Sequence, residues 1–326
     1  MVLIFTQSAT SNSSSSKQLG YNGRYRLVIN IATSLVLSAM IIGFYNIGLW
    51  LGSVGVELKT APRKSVVSKE LEAYDCFQPF PSPVLGEYKK WLINHNNNNS
   101  GNYNNTAPKV LNAGFPKCGS TTLNEFLSQK ISQDKQLSTI GYNVSHWRLN
   151  ESIRKIKDNL VGPCMTKAVK NGNPPLSTCG NFAAYTQMDS ESTSCNFPQI
   201  SYLNEIYNEE PSAILLLPFR NVTEWIKSME TWHGMKSRLE KLCVFPEYNF
   251  TIEKGRNATD EEFEELYCKH VRHIRKFVIE HPTLTLIEYS IGAENVGDYL
   301  ASLLPHMRLK PSHYGHMNWK NNRVTM

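Results

Sequence analysis

The chain has 326 residues, of which 41% are hydrophobic and 19% charged, and its net charge is +6. This composition is that of an ordinary globular protein and excludes a collagen-like or wholly disordered chain. The mild positive charge favours anionic ligands. No dense run of lysine and arginine is present, which argues against nucleic-acid binding.

The chain opens with a polar tail followed by a long apolar segment. Residues 1–26 are rich in serine and asparagine, which predicts a disordered tail. No charged residue occurs between Leu27 and Val56, and an apolar helix of that length spans a bilayer. We therefore predict one transmembrane signal anchor over residues 27–53. A cleaved signal peptide would have a shorter apolar core, and a buried core helix is the other alternative.

Glycosylation acceptors predict the orientation of this anchor. Basic residues flank the anchor on both sides, so the distribution of positive charge does not determine its orientation. Asn-x-Ser/Thr sequences favour a type II protein with a cytoplasmic tail, because only Asn12 precedes the anchor. Residues 54–106, which contain several prolines and an asparagine run, are predicted to form a luminal stem before a folded domain at 107–326. The downstream acceptors are Asn98, Asn104, Asn143, Asn150, Asn221, Asn249 and Asn257.

The stretch Val110–Leu123 is typical of a buried strand, a glycine turn and the start of a helix. Gly114 and Gly119 bracket the turn, and hydroxyl residues occupy the first positions of the helix. Free N–H groups at a helix N-terminus, neighbouring hydroxyls and the loop lysine Lys117 indicate a phosphate site. The spacing departs from a Walker A loop, because the lysine lies inside the loop. The alternative is a strand-to-helix turn without a ligand.

Further strands and helices alternate along the chain. Ala213–Phe219 and Leu284–Tyr289 are apolar runs typical of buried strands, and residues 136–140 are a third candidate. Helices are predicted over Val222–Arg238, with Trp232 on its apolar face, and from a capping box at Thr259. This alternation predicts an α/β fold with a three-layer domain and a mostly parallel central sheet.

A second anion site is predicted where the strand Ala213–Phe219 ends. In a P-loop NTPase, a later strand ends in an aspartate that helps to hold Mg²⁺. Here Arg220 follows the strand, and Ser228 lies eight residues later on the next helix. A guanidinium and a hydroxyl can bind one phosphate group together. We therefore expect a second phosphate and no metal ion, although an ordinary surface arginine is the alternative.

These two motifs resemble those of membrane-anchored, Golgi-type sulfotransferases that use 3′-phosphoadenosine 5′-phosphosulfate (PAPS). The resemblance rests on Phe115-Pro116-Lys117-Cys118-Gly119-Ser120-Thr121-Thr122 and on Arg220 with Ser228. It implies a P-loop-type fold, PAPS as co-substrate and metal-independent, in-line sulfuryl transfer in the Golgi membrane. It further implies that Lys117 acts on the bridging oxygen of the leaving phosphate, that Ser228 contacts Lys117 before the acceptor arrives, and that Arg220 and Ser228 bind the 3′-phosphate. The 5′-phosphate would be bound by the loop residues Pro116, Lys117, Cys118, Gly119, Ser120, Thr121 and Thr122.

A hydroxyl or amine acceptor needs a general base, and the resemblance implies a glutamate or a histidine near the sulfuryl group. No glutamate lies between Phe126 and Asn150, so His146 is the candidate base. A structural histidine packed beside Trp147 is the alternative, and Asp189 is the next candidate base. The acceptor is expected to be a carbohydrate, with protein tyrosine, lipid or a small alcohol left open.

Seven cysteines are present, and Cys118 in the loop is expected to be a free thiol. The other six predict three disulfides in an oxidising lumen rather than a zinc site, because no paired metal-ligand spacing occurs. Cys243 and Cys268 are the favoured pair, and two of the cysteines between residues 162 and 196 are expected to pair locally. The local cysteines are Cys164, Cys179 and Cys195.

Two other functions are weighed: an ATP-dependent, kinase-like transferase and a non-catalytic glycan-binding glycoprotein.

Overall fold

The computed structural model describes residues 63–96, 107–128, 143–149, 159–191, 195–250 and 256–315. The predicted tail, the anchor at 27–53 and the candidate strand at 136–140 lie outside these residues. Within the described ranges, no helix has both the length and the apolar composition needed to cross a membrane.

A five-stranded sheet forms the centre of the fold, and every pairing in it is parallel. Its spatial order is β2-β3-β1-β4-β5, so the strand before the glycine loop lies in the middle. The predicted parallel α/β architecture is therefore confirmed. The strands are β1 (Val110–Asn112), β2 (Val144–Ser145), β3 (Ala184–Tyr185), β4 (Ile214–Phe219) and β5 (Thr285–Ser290).

Helices cover both faces of the sheet, because the strands are apolar on both sides. Leu215 and Leu217 of β4 pack into one buried cluster, while Ile214 and Leu216 pack into the other. The helices are α1 (Arg63–Ala73), α2 (Tyr88–Asn96), α3 (Ser120–Ser128), α4 (Val161–Lys170), α5 (Pro175–Thr178), α6 (Pro198–Ser201), α7 (Leu203–Glu209), α8 (Val222–Thr231), α9 (Met235–Leu242), α10 (Asp260–Glu280) and α11 (Val296–Leu303). Three short 3₁₀ turns lie at Pro246–Tyr248, Pro305–Met307 and Pro311–His313.

The helix predicted over Val222–Arg238 is in fact two helices. Helix α8 ends at Thr231, and α9 begins at Met235. His233 and Gly234 between them have left-handed backbone angles, with φ of 47° and 68°, which a continuous helix cannot accommodate. The prediction that Trp232 lies on the buried apolar face is wrong, since 49% of the residue is exposed.

Part of the predicted stem is folded. Residues from Arg63 onward belong to one compact unit with the rest of the described chain. The buried Arg275 of α10 donates to the carbonyl oxygens of Tyr74, Asp75 and Gln78, while its other hydrogen bonds go to the Glu288 carboxylate. Three hydrogen bonds from one buried guanidinium therefore tie this part of the predicted linker to the folded domain.

Three disulfides are present, as predicted, and Cys118 is a buried free thiol. The local pair is Cys164–Cys179. The predicted Cys243–Cys268 pair is wrong: Cys268 bonds to Cys76, and Cys243 bonds to Cys195. The reason is the packing of α1 against α10, which brings Cys76 to Cys268 across a separation of 192 residues.

Candidate active site

Four of the parallel strands lead directly into residues of the candidate site. The loop 113–119 follows β1, His146 follows β2, Gln187 and Asp189 follow β3, and Arg220 follows β4. Because the carboxyl ends of parallel strands share one edge of the sheet, these segments meet there, at the usual position for ligands in open α/β folds.

The glycine loop is clamped at its start. The Gly114 N–H donates to Asn112 Oδ1 at 3.0 Å, and Asn112 Nδ2 donates to the Thr186 carbonyl at 2.7 Å. A Cβ atom on Gly114 would lie 2.7 Å from Pro218 Cγ, so only glycine fits here. Trp225 Nε1 donates to the Pro116 carbonyl at 2.9 Å. The loop is thus fixed from β3 on one side and from α8 on the other.

The second half of the loop turns the chain into α3. Lys117 and Gly119 both have left-handed backbone angles, with φ of 69° and 83°. Helix α3 then begins at Ser120, as predicted, with Thr121 exposed and Thr122 half-buried. The first N–H groups of a helix have no partner within it and attract anions. The loop therefore presents donors and hydroxyls at a well-defined helix N-terminus.

Two cations meet at this loop. Arg220 Nη1 donates to the Lys117 carbonyl at 3.0 Å, and the Arg220 N–H donates to the Tyr267 hydroxyl at 3.3 Å. Among the described residues, the buried Arg220 Nε has no hydrogen-bond partner, and its ion-pair contact with the exposed Glu224 carboxylate is 3.9 Å long. Burial, followed by the nearby Arg220 charge, lowers the pKa of Lys117, and the Glu191 carboxylate partly opposes this effect. Two neighbouring cations and an unfilled buried donor suit an anionic ligand.

Ser228 and Cys118 lie close to these groups in sequence but differ in their surroundings. Ser228 is half-buried in α8, where its carbonyl accepts from the Thr231 hydroxyl. Among the described residues, no hydrogen bond joins its side chain to Lys117 or Arg220. The Cys118 N–H closes a turn onto the Phe115 carbonyl at 3.3 Å. Burial raises the pKa of its thiol to about 12, so the thiol stays protonated and unreactive.

A comparison with protein-family profiles identifies the chain. The sulfotransferase domain profile matches residues 109–306, which is more than half of the sequence and includes both anion motifs. The chain belongs to the sulfotransferase family. No significant match was found among curated proteins or among solved structures.

The sulfotransferase places His146 against its phosphate loop. His146 Nε2 lies 3.4 Å from Ser120 Oγ, and Ser120 Oγ donates to Gln187 Oε1 at 3.1 Å. Gln187 Nε2 in turn donates to Asp189 Oδ2 at 3.1 Å, which fixes the orientation of the amide. Since the Ser120 proton goes to Gln187, the serine can only accept from His146. Nε2 of His146 therefore carries the proton, and Nδ1 is its basic nitrogen.

Two carboxylates lie behind the loop of the sulfotransferase. Burial, and secondarily the Glu191 charge, raises the pKa of Asp189 to about 7. Gln199 Nε2 lies 3.4 Å from both Asp189 Oδ1 and the Gly114 carbonyl, which connects this carboxyl group to the loop. Glu191 pairs with Arg238 at 2.7 Å. In contrast, burial lowers the pKa of His146 to about 4, so its ring is neutral at pH 7.

Several residues that support the site were missed in the sequence. His270 Nε2 lies 2.7 Å from the Ala113 carbonyl, and its ring packs 4.2 Å from that of Phe115, centroid to centroid. Nor did the sequence indicate that Trp232, Trp225 and Gln199 contact the loop or the groups around it. They lie on helices, or just after one, far from the loop in sequence. Gln187 lies two residues after the short strand β3, which was not predicted from the sequence.

Proposed function

We propose that this sulfotransferase transfers a sulfuryl group from PAPS to a hydroxyl or amine acceptor, with a carbohydrate as the acceptor class. The observation that carries the proposal is the hydrogen bond of Arg220 to the backbone of Lys117 at the phosphate loop, where Arg220 Nε makes no hydrogen bond within the described part of the chain. A nucleotide with phosphates at both the 5′ and 3′ positions would bind both cationic side chains, Lys117 and Arg220. In the alternative of an ATP-dependent transferase, an aspartate rather than Arg220 would be expected after β4.

Each side chain has a role in this scheme. The N–H groups of residues 119–122 and the hydroxyls of Ser120, Thr121 and Thr122 would bind the 5′-phosphate. Arg220 and Ser228 would bind the 3′-phosphate, and Pro116 and Cys118 shape the turn that presents Lys117. The donor supplies the activated sulfuryl group. Lys117 stabilises negative charge on the leaving phosphate oxygen, since a preorganised cation is most effective where charge develops.

The acceptor must lose a proton, and His146 is the proposed base. Its ring is neutral at physiological pH, half-buried and next to Ser120 of the loop, and Nδ1 would be the nitrogen that accepts the proton. The chain from Asp189 through Gln187 and Ser120 holds the ring in this tautomer. Asp189 is the second candidate base, favoured by its pKa near 7 but almost fully buried between two glutamine amides.

The cellular setting is also a proposal: a Golgi, single-pass type II protein with a luminal catalytic domain, anchored in the bilayer by residues 27–53. Three disulfides within the folded unit support an oxidising compartment. Protease protection of an N-terminal epitope in sealed Golgi vesicles tests it. The proposed topology predicts that the epitope is digested and the catalytic domain protected.

Binding of adenosine 3′,5′-bisphosphate to the full-length protein tests the donor site. Replacing Arg220 with methionine should weaken binding by about 10- to 100-fold, because one charge-assisted hydrogen bond contributes about 1.5–3 kcal/mol. Arg272→Met, an exposed arginine on α10, is the matched control and should bind as the wild type does. Binding of ATP without binding of the bisphosphate would overturn the PAPS proposal. Transfer of labelled sulfate from PAPS to a panel of glycans and small acceptors then tests the acceptor class.

A further inference from the structure

Lys117 does not point into open solvent: its ammonium lies over an indole ring. Lys117 Nζ is 3.8 Å from the centroid of the Trp232 ring. Trp232 is the first residue after α8, and 49% of it is exposed. Its backbone is held in the break between α8 and α9, where the Met235 N–H donates to its carbonyl at 2.9 Å. The backbone that carries the indole is therefore held in place, while the residue itself is about half exposed.

This contact stabilises the charged form of Lys117, which its surroundings otherwise disfavour. Lys117 is half-buried and lies beside the Arg220 guanidinium, and both conditions disfavour its charged form. The face of an indole carries negative electrostatic potential and attracts an ammonium group at this distance. Such a contact raises the pKa of a lysine by roughly half a unit to one unit. Trp232 thus favours the protonated lysine that sulfuryl transfer requires.

We propose that Trp232 is a positioning residue for Lys117. In the donor-free enzyme, its indole ring keeps the Lys117 ammonium group charged and fixes its position; when the donor phosphate binds, the indole releases the ammonium group. The inference rests on the proposed function, because the release step presupposes an anionic donor. It also replaces an expectation: the resemblance implied that Ser228 would hold the lysine, and the indole holds it instead. A ligand phosphate then competes with the aromatic face for the same ammonium group.

An NMR titration of the full-length protein labelled with [ε-¹³C]lysine tests the proposal. The Lys117 signal is assigned by its loss in Lys117→Met. In the donor-free wild type, we expect the ring current of the indole to move this signal upfield. In Trp232→Leu the upfield shift should disappear and the Lys117 pKa should fall by about half a unit to one unit. Trp232→Phe should retain part of both effects, and Trp147→Leu, which removes another exposed indole, should retain both fully.

Addition of adenosine 3′,5′-bisphosphate tests the release. We expect the upfield shift to be lost as the bisphosphate saturates, with the pKa of Lys117 rising. A Lys117 signal without upfield shift in the donor-free wild type, or one unchanged in Trp232→Leu, overturns the role of Trp232 whatever the donor is. An upfield shift that persists at saturation overturns the release step. Saturation is established independently by the binding measurement described above. If the bisphosphate does not bind in that measurement, the proposed function itself fails together with the release.

Discussion

The buried carboxyl group of Asp189 makes the stability of the protein depend on pH in a way that one substitution can test. Asp189 is only 4% exposed, and burial raises its pKa to about 7. Its oxygens accept from Gln187 and Gln199, so within the described part of the chain the carboxyl group is held by neutral donors and makes no hydrogen bond to a cation. Replacement with asparagine removes the ionisation and keeps the shape of the side chain.

The sign and size of the effect follow from the two pKa values. An unfolded aspartate has a pKa of about 3.9. Because the folded value is higher, ionisation of Asp189 destabilises the fold as the pH rises through this interval, by about 1.4 kcal/mol per pH unit, and the penalty levels off above about pH 7. Asp189→Asn lacks this penalty. Between about pH 4 and about pH 8, its stability relative to the wild type should therefore improve by about 4 kcal/mol.

Urea unfolding of both full-length proteins with intact disulfides measures this gap. Any hydrogen bond lost to asparagine adds a roughly constant offset of about 1 kcal/mol, so the change of the gap with pH is the diagnostic quantity. Asp298→Asn, which removes an exposed carboxylate on α11, is the matched control for the loss of one negative charge. A gap between Asp189→Asn and the wild type that does not change with pH would refute the assignment of a buried, high-pKa carboxyl.

Two further predictions concern the proposed base and the core. His146→Ala should lower kcat by about 10²- to 10⁴-fold, as expected for loss of a general base. In the wild type, kcat/KM should fall below about pH 4, where His146 becomes protonated, and this fall should be absent in His146→Ala. If kcat/KM of the wild type instead falls as the pH drops below about 7, and this fall persists in His146→Ala, the base is Asp189. Arg275→Met should lower the free energy of unfolding by about 3–5 kcal/mol, because it leaves the buried Glu288 carboxylate uncompensated, whereas the exposed Arg272→Met should change it by under about 0.5 kcal/mol in the same urea titration.

The features that the sequence predicted correctly are those encoded within a short stretch. The strand, glycine turn and helix around Lys117 follow from apolar runs, glycine spacing and cap residues that are neighbours in the chain. The same holds for α10, where the Thr259 side chain and the Glu262 side chain each accept from the other residue's N–H. Strand β4 and the arginine after it are contiguous too.

The features that it did not predict depend on packing between distant segments. The residues Trp225, Ile226, Met229 and Trp232 keep helical spacing, so the sequence favoured one buried face. The backbone reverses at His233 and Gly234, and Trp232 then lies over Lys117. Periodicity carries no information about such a reversal. The pairing of Cys76 with Cys268 was inaccessible for the same reason, since no local pattern reports which helix packs on which.

Without a ligand, the site contains several polar groups in unfavourable surroundings, and one anionic ligand would stabilise them together. Lys117 is desolvated beside Arg220, and Arg220 Nε makes no hydrogen bond within the residues that the structure describes. The N–H groups that open α3 have no partner within the helix. A neutral ligand would leave the charge repulsion in place. A nucleotide with two phosphates would bring negative charge to both cationic groups and to the helix N-terminus, so we expect the site to select its ligand by charge.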